Sequence, residues 1–160
     1  MKKEALKLRV IAFFIVCIIT YLSNTSGLII SDISTWLNPA SYENVTIYDV
    51  FKKGSVFYSP WSDVRDLEFY LHKMSHFIFF GMLTLCLFWG NKGVKKFILK
   101  FVLIFGFALI DEIHQFFIVG RSGRLADVIF DMFGVMCFLF LITIVLGIRT
   151  LTYRKLNFKK

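Results

Sequence analysis

Four apolar stretches, each close to the roughly 20 residues a helix needs to cross a bilayer, constrain this chain more than any other feature. They run over about 8–30, 71–90, 97–119 and 128–148, the first interrupted by the polar run 23–27. In hydrocarbon every backbone polar group must find its partner inside the segment or in a closed barrel. Barrel strands would be shorter and would alternate; these runs do neither. The pattern predicts an all-α integral membrane protein of about four transmembrane helices, in a single domain over 1–160. Composition agrees, with 57% hydrophobic and 19% charged residues, where a soluble domain is nearer half and a quarter.

Lysine and arginine placement predicts the orientation. Lys2, Lys3, Lys7 and Arg9 precede the first stretch, Lys92, Lys95, Lys96 and Lys100 surround the second connection, and Arg149, Arg154, Lys155, Lys159 and Lys160 fill the tail 149–160. A four-span path puts all of these on one side. The minority (Lys52, Lys53, Arg65, Lys73, Arg121, Arg124) falls opposite. Both termini are therefore expected in the cytoplasm, and the net charge of +8 is mostly an orientation signal, so no nucleic-acid partner is expected. The first stretch has a basic start like a signal peptide, but no Ala-x-Ala-like site follows, so it reads as a retained helix. Cys17, Cys86 and Cys137 lie within apolar stretches and read as small buried hydrophobes, neither disulfides nor a zinc set.

The one long connection, 31–70, mixes Asp32, Glu43, Asp49, Asp66 and Glu68 with Trp36, Tyr42, Tyr48, Phe51, Phe57, Tyr58 and Trp61. Aromatics of this kind prefer the lipid–water boundary. The segment is expected to form an amphipathic outer layer of short helices or turns that lids the bundle.

Polar residues then stand where the chain should be apolar. An ionisable group at the bilayer centre costs about 2.5–3.5 kcal/mol or more, so a chain carrying several is using them. On the four-span path Lys73 and His76, then Asp111, Glu112, His114 and Gln115, then Arg121 and Arg124, then Asp127 and Asp131 all reach the outer half of the membrane. Asp127, Asp131 and Gly134 are spaced i, i+4, i+7 and share a helix face; Gly134 lets a neighbouring helix approach. Bland readings stand beside these. Asp127 is placed to cap the fourth helix through the Ile129 or Phe130 amide, Lys73 to snorkel, Arg124 to meet lipid phosphates and His114 to be a structural hydrogen-bond partner.

Two mechanisms fit. In the first, an enzyme clamps a phosphate with Lys73, Arg121 and Arg124, whose guanidinium forks match phosphate oxygens; His76 or His114 serves as base or nucleophile, Glu112 orients or activates, and Gln115, Asp127 and Asp131 complete the site. In the second, the cluster binds without catalysis or simply ties the bundle together. No cofactor is required. A divalent metal is the minor alternative, with His76, Glu112, His114, Asp127 and Asp131 as donors, although Glu112 and His114 point roughly 200° apart on one helix and do not share an ion easily.

Lys73-x-x-His76-Phe77, Asp111-Glu112-x-His114-Gln115-x-Phe117, Gly120-Arg121, Asp127 and Gly134 together resemble the VanZ-like family of small bacterial membrane proteins, with Tyr21-Leu22-Ser23 resembling the end of that family's first helix. The resemblance covers about 73–134. Val119 stands where the family often has Pro, and Asp131 where it often has Asn. The resemblance implies a cell-envelope role linked to glycopeptide (teicoplanin) resistance, and by wider analogy to membrane enzymes of lipid head groups. The expected partners are membrane lipids or a lipid-linked cell-wall precursor.

Overall fold

The computed structural model describes residues 2–61, 66–89 and 94–157, with side chains given for 3–61, 66–89 and 94–152. Arg65, Lys92, Lys159 and Lys160, and the side chains of Lys2, Arg154 and Lys155, all part of the charge-based orientation, lie outside the described residues. Helix α1 (Lys2–Ser23) leads through a 3-10 turn (Ile33–Leu37), the short helix α2 (Ile47–Phe51) and a second 3-10 turn (Val56–Tyr58) to α3 (Leu67–Phe88), α4 (Val94–Phe116) and α5 (Leu125–Asn157).

The boundaries follow local chemistry. The apolar run expected to reach residue 30 ends as helix at Ser23, because Asn24 and Thr25 fold back on the last turn and Gly27 takes a φ of 57°. Only glycine enters that left-handed region without steric cost. Asp66 caps α3 by accepting the Phe69 amide at 2.8 Å. The third run, expected to reach residue 119, leaves the helix at Phe116, and Gly120, with φ of 73°, turns the chain towards α5. Helix α5 is longer than the expected 128–148, and its 33 residues span about 50 Å at 1.5 Å per residue.

The helices alternate in direction and share one core. On α1 it takes Ala12, Ile15 and Ile19; on α3 Phe80, Leu83 and Phe88; on α4 Ile104 and Ala108; on α5 Val128, Val135 and Ile142. The outward faces are just as apolar: Phe13 and Phe14, Met74 and Ile78, Leu103 and Ile110, Phe133 and Phe140 are exposed. Helices hydrophobic all round belong in lipid. Helices α1 (from Lys3), α3 and α5 (to Thr152) are long and apolar enough to cross a membrane. Helix α4 is as long, with 23 residues, but is not one of these three. Lys95, Lys96 and Lys100 at one end and Asp111 and Glu112 at the other leave it an unbroken apolar run only over 101–110.

Close backbone approach fixes the α3–α5 pair. A Cβ on Gly134 would lie 2.7 Å from the Phe77 carbonyl oxygen, so the expected role of Gly134 as a contact point holds.

Candidate functional site

Each long helix buries one stripe, and every stripe changes character at the same end of the bundle. On α1 Ala12, Ile15 and Ile19 continue into Ser23; on α4 Ile104 and Ala108 continue into Asp111, Glu112 and Gln115; on α5 Ile142 and Val135 continue back into Asp131 and Asp127. On α3 Phe80 continues back into His76 and Lys73. The 3.6-residue period that builds the core therefore also aims the polar groups inward.

His76 sits at the centre. Its Nδ1 lies 3.4 Å from Asp131 Oδ1 and 3.7 Å from Glu112 Oε1, and its ring stacks on Phe80. Glu112 and Asp131 are each 1% exposed. The other Glu112 oxygen, Oε2, accepts the backbone N–H of Arg124 at 3.1 Å, so this glutamate also fixes the chain at the start of α5. Asp111 Oδ2 accepts from Ser23 Oγ and from Gln115 Nε2, both at 2.9 Å. Gln115 Nε2 reaches Glu112 Oε1 at 3.3 Å, and Gln115 Oε1 accepts from Arg121 Nη2 at 2.8 Å. The same Nη2 lies 3.5 Å from His72 Nε2. Among the described residues Arg121 Nη1 is buried without a hydrogen-bond partner. Burial pulls the Arg121 guanidinium below its ordinary pKa, and Glu112, Asp111 and Asp127 pull it back up; a guanidinium stays protonated in proteins, so Arg121 is a fixed cation with an unspent donor.

Lys73 and Asp127 form a separate pair at the rim. Lys73 Nζ is 2.6 Å from Asp127 Oδ1, which also accepts the Trp61 indole N–H at 2.5 Å. The ammonium lies over the Trp61 and Phe69 rings. Asp127 is thus an ion-pair partner inside α5; the expected cap of Ile129 or Phe130 is not its role, since the helix already begins at Leu125.

The structure brings together His76, Glu112, Gln115, Asp131 and Arg121, with Lys73 and Asp127 alongside. It places two expected residues elsewhere. His114 turns away, with Nε2 3.1 Å from Asn24 Oδ1 and its ring against Tyr42, on a shallow groove shared with Thr20 and Tyr21. Arg124 gives a guanidinium N–H to the Pro60 carbonyl. Three members were not expected as site residues. His72 had a readable signal, its i, i+4 spacing to His76, with which it stacks at 4.8 Å. Ser23 ended a motif but had no assigned partner, and Trp61 meets Asp127 across a separation of 66 residues that no local pattern encodes.

The connection between α1 and α3 closes over this end. Val119 N–H donates to the Ser41 carbonyl, Glu43 N–H to the Phe117 carbonyl and Gly27 N–H to the Val119 carbonyl. Glu68 on α3 ties back to Ser31 and the Ile30 amide. Short 3-10 turns and the helix α2 make up this connection.

Gly123 packs so tightly on α4 that a Cβ would fall 1.8 Å from the Glu112 carbonyl oxygen. Gly120-Arg121-Ser122-Gly123 is therefore a packed support that delivers Arg121 to the cavity.

A family model described as VanZ/LLP1 matches residues 9–146, which takes in α3 and α4 entire, most of α1 and α5, and the whole polar cluster. The chain belongs to this family. Comparisons with curated proteins and with solved structures find no match.

Proposed function

We propose that this VanZ/LLP1 family member is a multi-pass protein of the bacterial cytoplasmic membrane that acts on a phosphate-bearing lipid head group or a lipid-linked cell-wall precursor. One observation carries the reading: a histidine flanked by two buried carboxylates lies beside an arginine that keeps a buried, unspent N–H donor. A guanidinium donor of this kind suits a phosphate oxygen. A histidine held between carboxylates suits a proton acceptor or a nucleophile for head-group transfer or hydrolysis. Chains of an envelope precursor altered in this way would meet glycopeptides such as teicoplanin differently, which is the resistance link the family suggests.

The lipid-facing apolar surface of α4 supports its assignment as a fourth span: Ile98, Leu99, Val102, Leu103 and Ile110 are exposed while Ile104 and Ala108 are buried. Lys100 turns its ammonium towards the Leu87 carbonyl and the Phe88 ring, and Asp111 and Glu112 face the interior, so neither set of charges meets hydrocarbon. The lysine and arginine distribution supports an orientation with both termini in the cytoplasm and the polar cluster in the outer half of the bilayer.

The second reading is a non-catalytic site that binds the same lipid, or a structural network. The continuous hydrogen-bonded chain Ser23–Asp111–Gln115–Arg121 favours it, since such networks hold membrane bundles at about 0.6 kcal/mol per bond. Lipid and lipid-carrier profiles of cells expressing wild type, Glu112→Gln and His76→Ala at matched folded levels separate the two. A species that changes only with wild type establishes head-group chemistry. Identical profiles at equal folded levels refute the enzyme and leave binding or structure.

A further inference from the structure

We propose that His76, Asp111 and Glu112, with Asp131 beside His76, form a binding site for one divalent transition-metal ion of the Zn²⁺ or Mn²⁺ class. The proposal names a cofactor for the site described above and rests on the reading that this cluster does chemistry, but it is tested by metal binding itself.

Spacing is the first argument. One ligand atom from each of His76, Asp111 and Glu112 lies within 4.8 Å of the others. His76 Nδ1 stands 3.4 Å from Asp131 Oδ1 and 3.7 Å from Glu112 Oε1. These separations are long for a charge-assisted hydrogen bond, which closes to about 2.7–2.9 Å. They fit two ligands on one ion: bonds of about 2.0–2.1 Å at a tetrahedral angle set donors roughly 3.4 Å apart.

The second argument is independent of spacing. Asp131 Oδ2 shares a 3.5 Å hydrogen bond with His76 Nδ1, but among the described residues Oδ1, on a residue only 1% exposed, accepts none and has that same nitrogen at 3.4 Å as its one ion-pair neighbour. A buried carboxylate oxygen without a donor is costly, and a cation at this point satisfies it.

Charge gives the third. Asp111, Glu112, Asp127 and Asp131 are all buried. Against them stand Lys73, spent on Asp127, and Arg121, which among the described residues makes no ion pair with a carboxylate. With the histidines neutral and the carboxylates ionised, as metal ligation requires of its ligands, the four carboxylates exceed these two cations among the described residues by two charges, and a divalent ion cancels the excess. Imidazole with carboxylate oxygens suits the borderline transition metals better than it suits Mg²⁺ or Ca²⁺.

The surroundings match a metal's outer partners. Ser23 and Gln115 hold Asp111 by its Oδ2, Gln115 also reaches Glu112, and the Arg124 amide fixes the second Glu112 oxygen. Partners of this kind orient ligands and raise affinity about 10–100-fold.

The test uses full-length, tag-free protein in detergent, stripped with a chelator, reloaded with Zn²⁺ or Mn²⁺ and desalted, with metal counted by mass spectrometry. The expected result is about one ion per chain, lost in His76→Ala and Glu112→Gln, bound at least about 10-fold more weakly in Asp131→Asn, and unchanged in His114→Ala. Wild type that retains no metal overturns the proposal, as does a Glu112→Gln chain that binds like wild type. Should the variants fail to fold, electron-spin-echo spectra of the Mn²⁺-loaded wild type decide: coupling to a histidine nitrogen supports the site, and its absence overturns it. Metal bound with an unaltered lipid profile would sink the enzyme reading alone, and an altered profile from metal-free protein would sink this one alone.

Discussion

Lys73→Met tests whether Lys73 serves the fold or the substrate. Asp127 Oδ1 has two partners, Lys73 Nζ at 2.6 Å and the Trp61 N–H at 2.5 Å. Methionine keeps the apolar stem and removes only the ammonium. Stranding one member of a buried pair costs about 3–5 kcal/mol. Trp61 remains on Asp127, so the low end applies, about 3 kcal/mol. For a chain of this size each kcal/mol moves the thermal midpoint by about 2–4 °C, so a fall of roughly 6–12 °C is expected. Adding Asp127→Asn removes the stranded charge while keeping an acceptor for Trp61, and the double variant should regain about half or more of the loss, a coupling that a double-mutant cycle reads directly. The assay is thermal unfolding of detergent-purified protein followed by tryptophan fluorescence. A single variant with the wild-type midpoint would show that Asp127 does not depend on Lys73. A double variant no better than the single would show that packing, not charge, was lost. A folded double variant that has lost all lipid chemistry would return Lys73 to the substrate.

Gly123→Ala must push the α4–α5 loop off the Glu112 carbonyl, 1.8 Å from the new Cβ; overpacking of this kind costs about 1–3 kcal/mol or more, whereas Ser122→Ala at an exposed position should leave the midpoint unchanged in the same unfolding assay. His114→Ala should retain the wild-type lipid profile, because His114 faces Asn24 and Tyr42; a profile equal to that of Glu112→Gln would contradict the geometry. In a chain with Cys17, Cys86 and Cys137 replaced by Ala, a cysteine at Tyr48, an exposed position on α2, should react with an impermeant maleimide on whole cells, and one at Lys95 only after lysis; the opposite pattern would invert the proposed orientation.

What could be read from the chain beforehand was depth. Long apolar runs located the four long helices, with ends off by two to nine residues, and path alternation then put Lys73, His76, Glu112, Asp127 and Asp131 at one level. Azimuth was harder. Asp111 and Glu112 are adjacent, and neighbours on a helix point about 100° apart, yet both are buried, Asp111 towards Ser23 on α1 and Glu112 towards His76 on α3. His114, two residues on, falls outside that arc. No sequence rule says how wide a cavity is, so His114 could not be separated from His76 in advance. The ends of α1 and α4 were misplaced for a different reason. Residues 28–30 and 117–119 are apolar but serve loops: Leu28 and Ile118 are buried, and Val119 pairs with Ser41 and Gly27. Hydrophobicity reports burial, and the glycines at 27 and 120 decide whether the buried segment remains helical.

Glu112 ties scaffold and site together, and that determines how its variants are to be read. Its Oε2 holds the Arg124 amide, while its Oε1 faces His76 and Gln115. Alanine would remove both contacts, and lost chemistry would then say nothing about mechanism. Glutamine does better, because its two terminal atoms differ. The Arg124 N–H is fixed by the backbone, so the amide oxygen is drawn to it and the NH₂ takes the place of Oε1. There it meets Gln115 Nε2, which cannot easily flip because Arg121 holds its oxygen at 2.8 Å. One donor–donor contact results, at about 1–3 kcal/mol, partly offset by removal of one buried charge from an acidic cluster. The loop at the start of α5 stays in place while the oxygen aimed at His76 is gone. Loss of lipid chemistry with a midpoint fall inside that range therefore assigns the function to Oε1. A larger fall would mean that Oε2 was lost as well, and that Glu112 acts first as the anchor of α5.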